Sequence, residues 1–136
     1  MAATQLAVAE TGTAERNLQV TREFFKAWER KDVDAIVAAF APDGVYHNIP
    51  FQAVQGRDQI RKAVGQFVGL GDDMIFELCK VVCAGDTVVT ERVDSWTLKG
   101  KRQSLPVMGI LEFNADGQLT GWREYFDVKT FEAGGS

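Results

Sequence analysis

The second half of the chain contains four consecutive strand-like segments, and this pattern limits the possible folds more than any other feature. Inward and outward side chains alternate over about residues 74–83, 87–98, 103–114 and 119–128, as in strands with one buried face. The segments AGD, LKGK and NADG separate them, and each has the short length and the turn-forming residues of a β-hairpin. The sequence therefore predicts an antiparallel meander of four strands.

The first part of the chain is predicted to be mainly helical. Over about residues 14–30, inward positions recur at the spacing of one helix face: Leu18, Thr21, Phe24, Phe25 and Trp28. Asp32 is a typical N-cap residue for a short second helix. The buried side of that helix is predicted to carry Ile36, Val37 and Phe40.

A strand and a third helix are predicted between the second helix and the meander. The segment APDG at 41–44 predicts a turn, and VYHNIPF at 45–51 predicts a short strand. Gly56 is expected to open a third helix, which ends at the segment GLGDD. The inner face of this helix is predicted to consist of Ile60, Val64 and Phe67.

Together these segments predict a single α+β domain. Their order is α-α-β-α-β-β-β-β, and 136 residues provide enough chain for one buried core. Helices that precede a meander favour a curved mixed or antiparallel sheet wrapped by about three helices, which forms a cone with an interior. We assign this domain to residues 14–131 and expect flexible segments at 1–13 and 132–136.

Composition and charge narrow the classes of partner. The net charge of −4 and the pI near 5.0 give no reason to expect nucleic acid or an anionic membrane surface as a partner. The first residues lack the basic and apolar regions of a signal peptide. No apolar run approaches the roughly 20 residues of a membrane helix. We therefore expect a cytoplasmic protein with no nucleic-acid or membrane partner.

The cysteines and the single histidine give no sign of a disulfide or a metal site. Cys79 and Cys83 are four residues apart in a strand-like segment, which separates them by about 13 Å, too far for a disulfide. We interpret both as reduced core residues. His47 is the one histidine of the sequence, so no zinc-binding set is apparent and no metal is expected.

Strand alternation places charged side chains on the predicted inner faces. Within the strand at 87–98, Arg92 and Asp94 share a face with Trp96. In the last strand, Glu124 falls on a face that is otherwise apolar. Buried ion pairs stabilise a fold poorly, whereas one guanidinium can bridge two carboxylates and keep one ionised and the other protonated. We therefore favour a catalytic acid and base over an internal salt bridge.

Two polar residues of the first strand are predicted to face the same interior. Tyr46 and Asn48 are two residues apart, so they share a face on which both can hold a water or a substrate oxygen. His47 points the other way and is interpreted as a surface or interface residue. The same interpretation applies to Asp127, which falls on the polar face of the last strand.

Four motifs connect the chain with a known family. VYHNIP, GRDQI, TERVDSW and TGWREYFD occur in this order within residues 45–127, and the resemblance that they carry extends over about residues 20–131. In sequence and separation they resemble the limonene-1,2-epoxide hydrolase family, which has the cone-shaped fold of the nuclear-transport-factor-2-like and SnoaL-like superfamily. The resemblance implies a one-step hydrolysis without a cofactor, and a homodimer formed through the outer face of the sheet.

The resemblance also implies a role for each polar residue. Tyr46 and Asn48 would hold the attacking water. Asp94 would protonate the epoxide oxygen, and Arg92 would bridge the two acids. Glu124 occupies the position of the base, where the family has Asp. Its extra methylene moves the carboxylate by about 1 Å or more, and misplacement of that size can reduce a rate by about 10²-fold.

Face assignments and family position together give eight candidates for the lining of a substrate pocket: Phe25, Trp28, Phe67, Trp96, Leu105, Val107, Trp122 and Phe126. The substrate is therefore expected to be a small hydrophobic molecule.

Two alternatives to an epoxide hydrolase stay open. One is an isomerase, or a cyclase that opens an epoxide without water; the presence of Glu124 in place of Asp motivates this alternative. The other is a non-catalytic small-molecule carrier, which would gain little from a buried charged cluster.

Overall fold

The structure is a computed structural model that describes residues 11–135, and these residues form four helices and six strands. The helices are α1 (Thr11–Glu29), α2 (Val33–Ala38), α3 (Arg57–Val68) and α4 (Val128–Gly135). The strands are β1 (Phe40–Asn48), β2 (Val54–Gln55), β3 (Asp72–Ala84), β4 (Thr87–Leu98), β5 (Lys101–Phe113) and β6 (Leu119–Tyr125). Only β2 and α4 have no counterpart in the elements predicted from the sequence.

The six strands form one mixed sheet in the order β2-β1-β6-β5-β4-β3. Strands β3 to β6 are antiparallel neighbours, as expected of a meander, whereas β1 pairs with β6 in parallel. A parallel pair needs a long connection between its strands. Here the connection from β1 to β6 includes α3 and strands β3 to β5. The curled, open sheet with its helices confirms the predicted α+β fold class.

Helix α1 covers the inner face of the sheet with aromatic side chains. Phe24 and Trp28 are buried and meet Trp122 of β6 edge-on, with ring centroids 4.8 and 5.7 Å apart. Such pairs add about 0.5–1.5 kcal/mol beyond the burial of their area. The predicted N-cap is confirmed, because the side chain of Asp32 accepts a hydrogen bond of 3.1 Å from the backbone N–H of Ala35. This cap fixes the start of α2 against the end of α1.

The segment APDG does not form a turn, contrary to the prediction. Residues 41–44 lie within β1, where the pairing with β6 shifts register between Phe40 and Val45. Gly44 passes close to the neighbouring backbone, because a Cβ there would come within 2.9 Å of the Leu119 carbonyl oxygen. The turn-forming residues therefore produce an irregular strand, since β6 lies alongside and accepts it as a partner.

The C-terminal end also differs from the prediction. Strand β6 ends at Tyr125, three residues earlier than expected, and α4 follows it. Asp127 is exposed, as predicted, and its Oδ1 accepts a hydrogen bond of 2.9 Å from the backbone N–H of Lys129. Of the tail expected to be flexible, residues 132–135 are helical.

The first helix begins earlier in the chain than predicted. Helix α1 begins at Thr11, so the last three residues of the segment 1–13 belong to it, and residues 1–10 lie outside the described part of the chain. None of the helices within residues 11–135 combines the length and the apolar character needed to cross a membrane.

The two cysteines differ in their surroundings. Cys79 is exposed and is therefore not a core residue, which corrects the prediction. It lies where the pairing of β3 with β4 shifts register between Leu78 and Lys80, and such a shift changes which side chains point outward. Cys83 is half-buried.

Candidate active site

Strand β4 brings a cation and a carboxylate to the inner face of the sheet. Thr90, Arg92 and Trp96 are buried there, and Asp94 is half-buried. The pairing of β4 with β5 shows no register shift along its length, so the alternation of side chains is uninterrupted. The structure therefore places these residues on the face that the sequence predicts.

The guanidinium of Arg92 binds two carboxylates at once. Its Nε and Nη2 donate to Oδ1 and Oδ2 of Asp94 at 2.9 and 2.8 Å. Its Nη1 donates to Oε2 of Glu124 at 3.0 Å, and Nη2 also donates to Oε1 of Glu124. A further bond of 3.3 Å runs from Nη1 to Thr90 Oγ1. These contacts use all the N–H donors of a guanidinium, in the two-pronged geometry of strong arginine–carboxylate pairs.

Two aromatic rings cover the guanidinium of Arg92. Its Cζ lies 4.4 Å from the ring centroid of Phe25 and 5.5 Å from that of Phe76, within the range of cation–π interactions. The sequence predicts Phe25 as a pocket-lining residue. The structure instead places it against Arg92 and not in the wall of the cavity described below.

Burial and charge act in opposite directions on this cluster. Burial raises the pKa of Glu124 and the attraction of Arg92 lowers it; with the repulsion of Asp94 added, this pKa stands at about 7. Burial lowers the pKa of Arg92, but the attraction of both carboxylates outweighs it and raises this pKa above its usual value. Near neutral pH, Glu124 can therefore change its protonation state while Arg92 stays charged.

Strand β1 brings Tyr46 and Asn48 beside the carboxylates through its parallel pairing with β6. In register, Tyr46 is the partner of Trp122 and Asn48 is the partner of Glu124. The ring of Tyr46 stacks on Trp122 with centroids 4.6 Å apart, and burial raises the pKa of its hydroxyl. A neutral hydroxyl and an amide both donate and accept hydrogen bonds, which suits them to hold a water. His47 points the other way, with Nε2 3.0 Å from a backbone carbonyl oxygen.

An apolar cavity of about 60 Å³, here called the inner cavity, lies against the carboxylates. Its polar wall is formed by Tyr46, Asn48, Asp94 and Glu124. Seven of the eight predicted pocket residues line it: Trp28, Phe67, Trp96, Leu105, Val107, Trp122 and Phe126. The inner cavity therefore brings an apolar surface into contact with the groups proposed to act as acid and base.

Four further residues line the inner cavity without having been predicted: Leu70, Met74, Phe76 and Phe131. Met74 and Phe76 lie two apart on β3, so alternation along that strand would have indicated them. Leu70 lies in the segment predicted only as the end of a helix. Phe131 belongs to α4, which the sequence does not predict.

A second, wider cavity of about 330 Å³, here called the outer cavity, lies beside the first. It shares five lining residues with the inner cavity: Tyr46, Asn48, Phe67, Leu70 and Phe131. Its remaining wall includes Phe51, Gln52 and Gln66, which are exposed. We therefore interpret the outer cavity as the side from which a ligand reaches the inner one.

The ionisable residues do not form a metal site in the described part of the chain. Among residues 11–135, no three His, Cys, Asp or Glu side chains lie close enough together to hold a metal ion. Asp94 and Glu124 direct their oxygens to Arg92 instead.

The family model described as SnoaL-like domain matches residues 21–122, which is most of the chain. This chain belongs to the SnoaL-like family.

A curated protein and a solved structure that are similar to this SnoaL-like chain are both named as epoxide hydrolases. Epoxide hydrolase EphG from Mycobacterium tuberculosis is 31% identical over 106 residues, which cover 77% of this chain and 69% of the relative. A solved structure of an M. tuberculosis LEH-like epoxide hydrolase has a TM-score of 0.77 at 27% identity and 90% coverage of both chains. These relatives confirm the resemblance that the four sequence motifs indicate.

A third similarity concerns the fold alone. A hypothetical protein from Catenulispora acidiphila with a ketosteroid isomerase-like fold, solved in complex with trimethylamine, superposes with a TM-score of 0.76. The match covers 85% of this chain and 91% of that chain at 22% identity. The SnoaL-like scaffold of this protein therefore also occurs in a chain that differs from it at most positions.

Proposed function

We propose that this chain is a cofactor-independent epoxide hydrolase of the limonene-1,2-epoxide hydrolase type, acting on a small hydrophobic epoxide. The observation that carries the proposal is that Asp94 and Glu124 bind one buried guanidinium at the wall of an apolar cavity. A buried charged cluster is a poor means of stabilising a fold, so a catalytic use accounts for it better. The similarity to proteins named as epoxide hydrolases supports the same chemistry.

In the proposed reaction, Glu124 is the general base and Asp94 is the general acid. Glu124 takes a proton from a water held by Tyr46 and Asn48, and the oxygen of that water attacks an epoxide carbon. The bond between this carbon and the ring oxygen breaks as Asp94 gives its proton to that oxygen. The product is a diol. Proton exchange with solvent then restores the ionised base and the protonated acid.

The proposed role of Arg92 is to hold the acid and the base in position. A guanidinium stays protonated at neutral pH, so it does not itself transfer a proton. Its bonds to both carboxylates fix their separation, and fixed geometry accounts for a large part of catalysis in general. Its positive charge favours the ionised form of a carboxylate, whereas burial and the repulsion between Asp94 and Glu124 favour a proton on Glu124.

A second candidate is an isomerase, or a cyclase in which a hydroxyl of the substrate opens the epoxide. One observation favours it: the inner cavity measures about 60 Å³, and its wall is mostly apolar. A substrate that fills such a space leaves little room for a separate water, which needs polar partners of its own. Glu124 would then take its proton from the substrate.

We also propose that the chain forms a homodimer through the outer face of the sheet. Four large apolar side chains on that face are exposed: Ile75, Val82, Met108 and Tyr125. Met108 and Tyr125 are register partners on β5 and β6 and so form one patch. Contiguous apolar surface of this kind marks interaction sites.

Incubation with a panel of small cyclic and terpene epoxides in ¹⁸O-labelled water tests the proposed reaction. Mass spectrometry of a labelled diol would support hydrolysis, whereas an isomeric product without label would favour the cyclase or isomerase. Glu124→Gln should strongly reduce the rate of diol formation, and an unchanged rate would show that Glu124 is not the base. No turnover, with ligand binding insensitive to Asp94→Asn, would indicate a carrier.

A further inference from the structure

Arg92 and Glu124 form their ion pair across a strand that lies between them. In the sheet, β5 separates β4, which carries Arg92, from β6, which carries Glu124. Neighbouring strands are about 4.8 Å apart, so these two backbones are separated by about twice that distance. The two side chains must therefore extend over the inner face of β5 in order to meet.

The residue of β5 that they extend over is Gly109. It is the register partner of Thr90 on β4 and of Glu124 on β6. The hydrogen bond from Arg92 Nη1 to Glu124 Oε2 is formed next to this glycine, since both atoms are near neighbours of a Cβ placed there.

Space, rather than backbone conformation, requires a glycine at this position. Gly109 is not among the glycines with positive φ, so its backbone would suit other residues as well. A Cβ at position 109 would overlap Oε2 of Glu124. It would also lie 3.0 Å from Arg92 Nη1 and 3.2 Å from Thr90 Oγ1. Because Arg92, Thr90 and Glu124 are all buried, these neighbours have little room to give way.

We infer that Gly109 is a positioning residue, whose lack of a side chain lets Glu124 lie over β5 and bind Arg92 with both carboxylate oxygens. A side chain at position 109 would displace the carboxylate of Glu124 and break at least one of its bonds to Arg92. The catalytic consequence rests on the proposed function, because Glu124 would then be displaced as the base. The geometric part of the inference holds for any reaction at this site.

Shortening the acid at position 124 provides a direct test. Gly109→Ala is compared with the double variant Gly109→Ala/Glu124→Asp, in which the carboxylate is one methylene shorter and moves away from the new methyl group. The single variant Glu124→Asp is measured as well, which completes a double-mutant cycle. The matched control is Gly121→Ala in β6, where a Cβ would approach only the side-chain ends of Glu112 and Arg123, at 3.3 and 3.5 Å.

For Gly109→Ala we expect a loss of about 10²-fold in kcat with a smaller change in KM, and a lower Tm than that of Gly121→Ala. Carboxyl ¹³C NMR should show the pKa of Glu124 rising above about 7, because the attraction of Arg92 weakens. In the double variant, the Tm should exceed the value obtained by adding the two single effects, since the two substitutions relieve each other.

The Tm and NMR measurements do not depend on the reaction, so they test Gly109 even where no epoxide is turned over. Additive losses of Tm, or an unchanged titration of Glu124 in Gly109→Ala, would overturn the inference while leaving hydrolysis possible. Should Gly109→Ala fail to fold, folding of the double variant would support the inference. Failure of both to fold, while Gly121→Ala folds, would contradict it.

Discussion

At the scale of single residues, the protonation of Glu124 gives a prediction for the pH dependence of the proposed reaction. Burial raises the pKa of Glu124 to about 7, and a general base acts only in its ionised form. The value of kcat/KM should therefore rise about tenfold per pH unit as the pH increases towards this pKa. Initial rates measured between about pH 5 and 8, with an epoxide that the protein hydrolyses as substrate, test this pH dependence.

Two variants separate the base from the acid in the same experiment. Glu124→Gln should lower kcat by about 10²–10⁴-fold and remove the rise near pH 7, because the base is gone. Asp94→Asn should lower kcat by a similar factor and keep the rise. A wild-type rate that falls through pH 7 would reverse the assignment, making Glu124 the acid and Asp94 the base.

Alternation within one strand predicts the face on which each charged side chain lies, but it does not predict which side chains of different strands meet. It predicts Arg92 and Asp94 on the inner face of one strand and Glu124 on that of another. It does not predict that the guanidinium reaches over Gly109, because this depends on the register among three strands. For the same reason, helical spacing predicts that Phe25 faces inward but not that it packs against the guanidinium.

At the scale of elements, α4 contributes Phe131 to the lining of both cavities. Phe131 of α4 contacts Phe51, Phe67 and Trp96, with ring centroids 5.9, 6.3 and 6.3 Å away, and it lines both cavities. The inner cavity of about 60 Å³ is smaller than an apolar cavity of about 150 Å³ that admits benzene. A ring-sized substrate therefore needs lining side chains to move, and Phe131 lies between the two spaces.

Phe131→Ala should join the two cavities and favour larger epoxides. Removing the ring adds apolar volume, so kcat/KM for a bulky epoxide should rise at least about tenfold relative to that for a small one. Competition between the two substrates in one reaction measures this ratio. Phe51→Ala is the matched control, since Phe51 lines only the outer cavity. Equal ratios in both variants would show that α4 does not limit substrate size.

Sequence periodicity predicts long elements and misses those that depend on neighbours. Helices α1 and α3 and the meander strands each carry a repeated inward pattern of their own. Helix α4 is only eight residues long, VKTFEAGG, and so short a helix depends on tertiary contacts such as those of Phe131. The irregular start of β1 carries the turn residues APDG, and only its pairing with β6 makes it a strand.

At the scale of the whole molecule, the proposed homodimer predicts the effect of one surface charge. Met108→Lys places a cation in the apolar patch opposite Tyr125, so burial of the patch would require desolvating the charge. Sedimentation over a range of concentrations should show a shift from dimer to monomer. Ala115→Lys, in the exposed turn between β5 and β6, should leave association unchanged. A wild-type chain that stays monomeric would exclude this interface.

The buried carboxylate also links the stability of the whole domain to pH. The pKa of Glu124 is about 7 in the folded protein and 4.5 for an ordinary glutamate. Between these values the folded state holds a proton that the unfolded chain has released, so stability decreases as pH rises and levels off above about 7. The resulting loss in the free energy of unfolding is about 3 kcal/mol.

Urea unfolding of the wild type and of Glu124→Gln at a series of pH values isolates this contribution, because the amide does not titrate. The stability of the wild type relative to the variant should fall by about 3 kcal/mol between pH 4.5 and about 7. A relative stability that rises with pH would mean that the attraction of Arg92 outweighs burial and keeps Glu124 ionised throughout. In that case kcat/KM would also lose its predicted rise near pH 7, so the two measurements must agree.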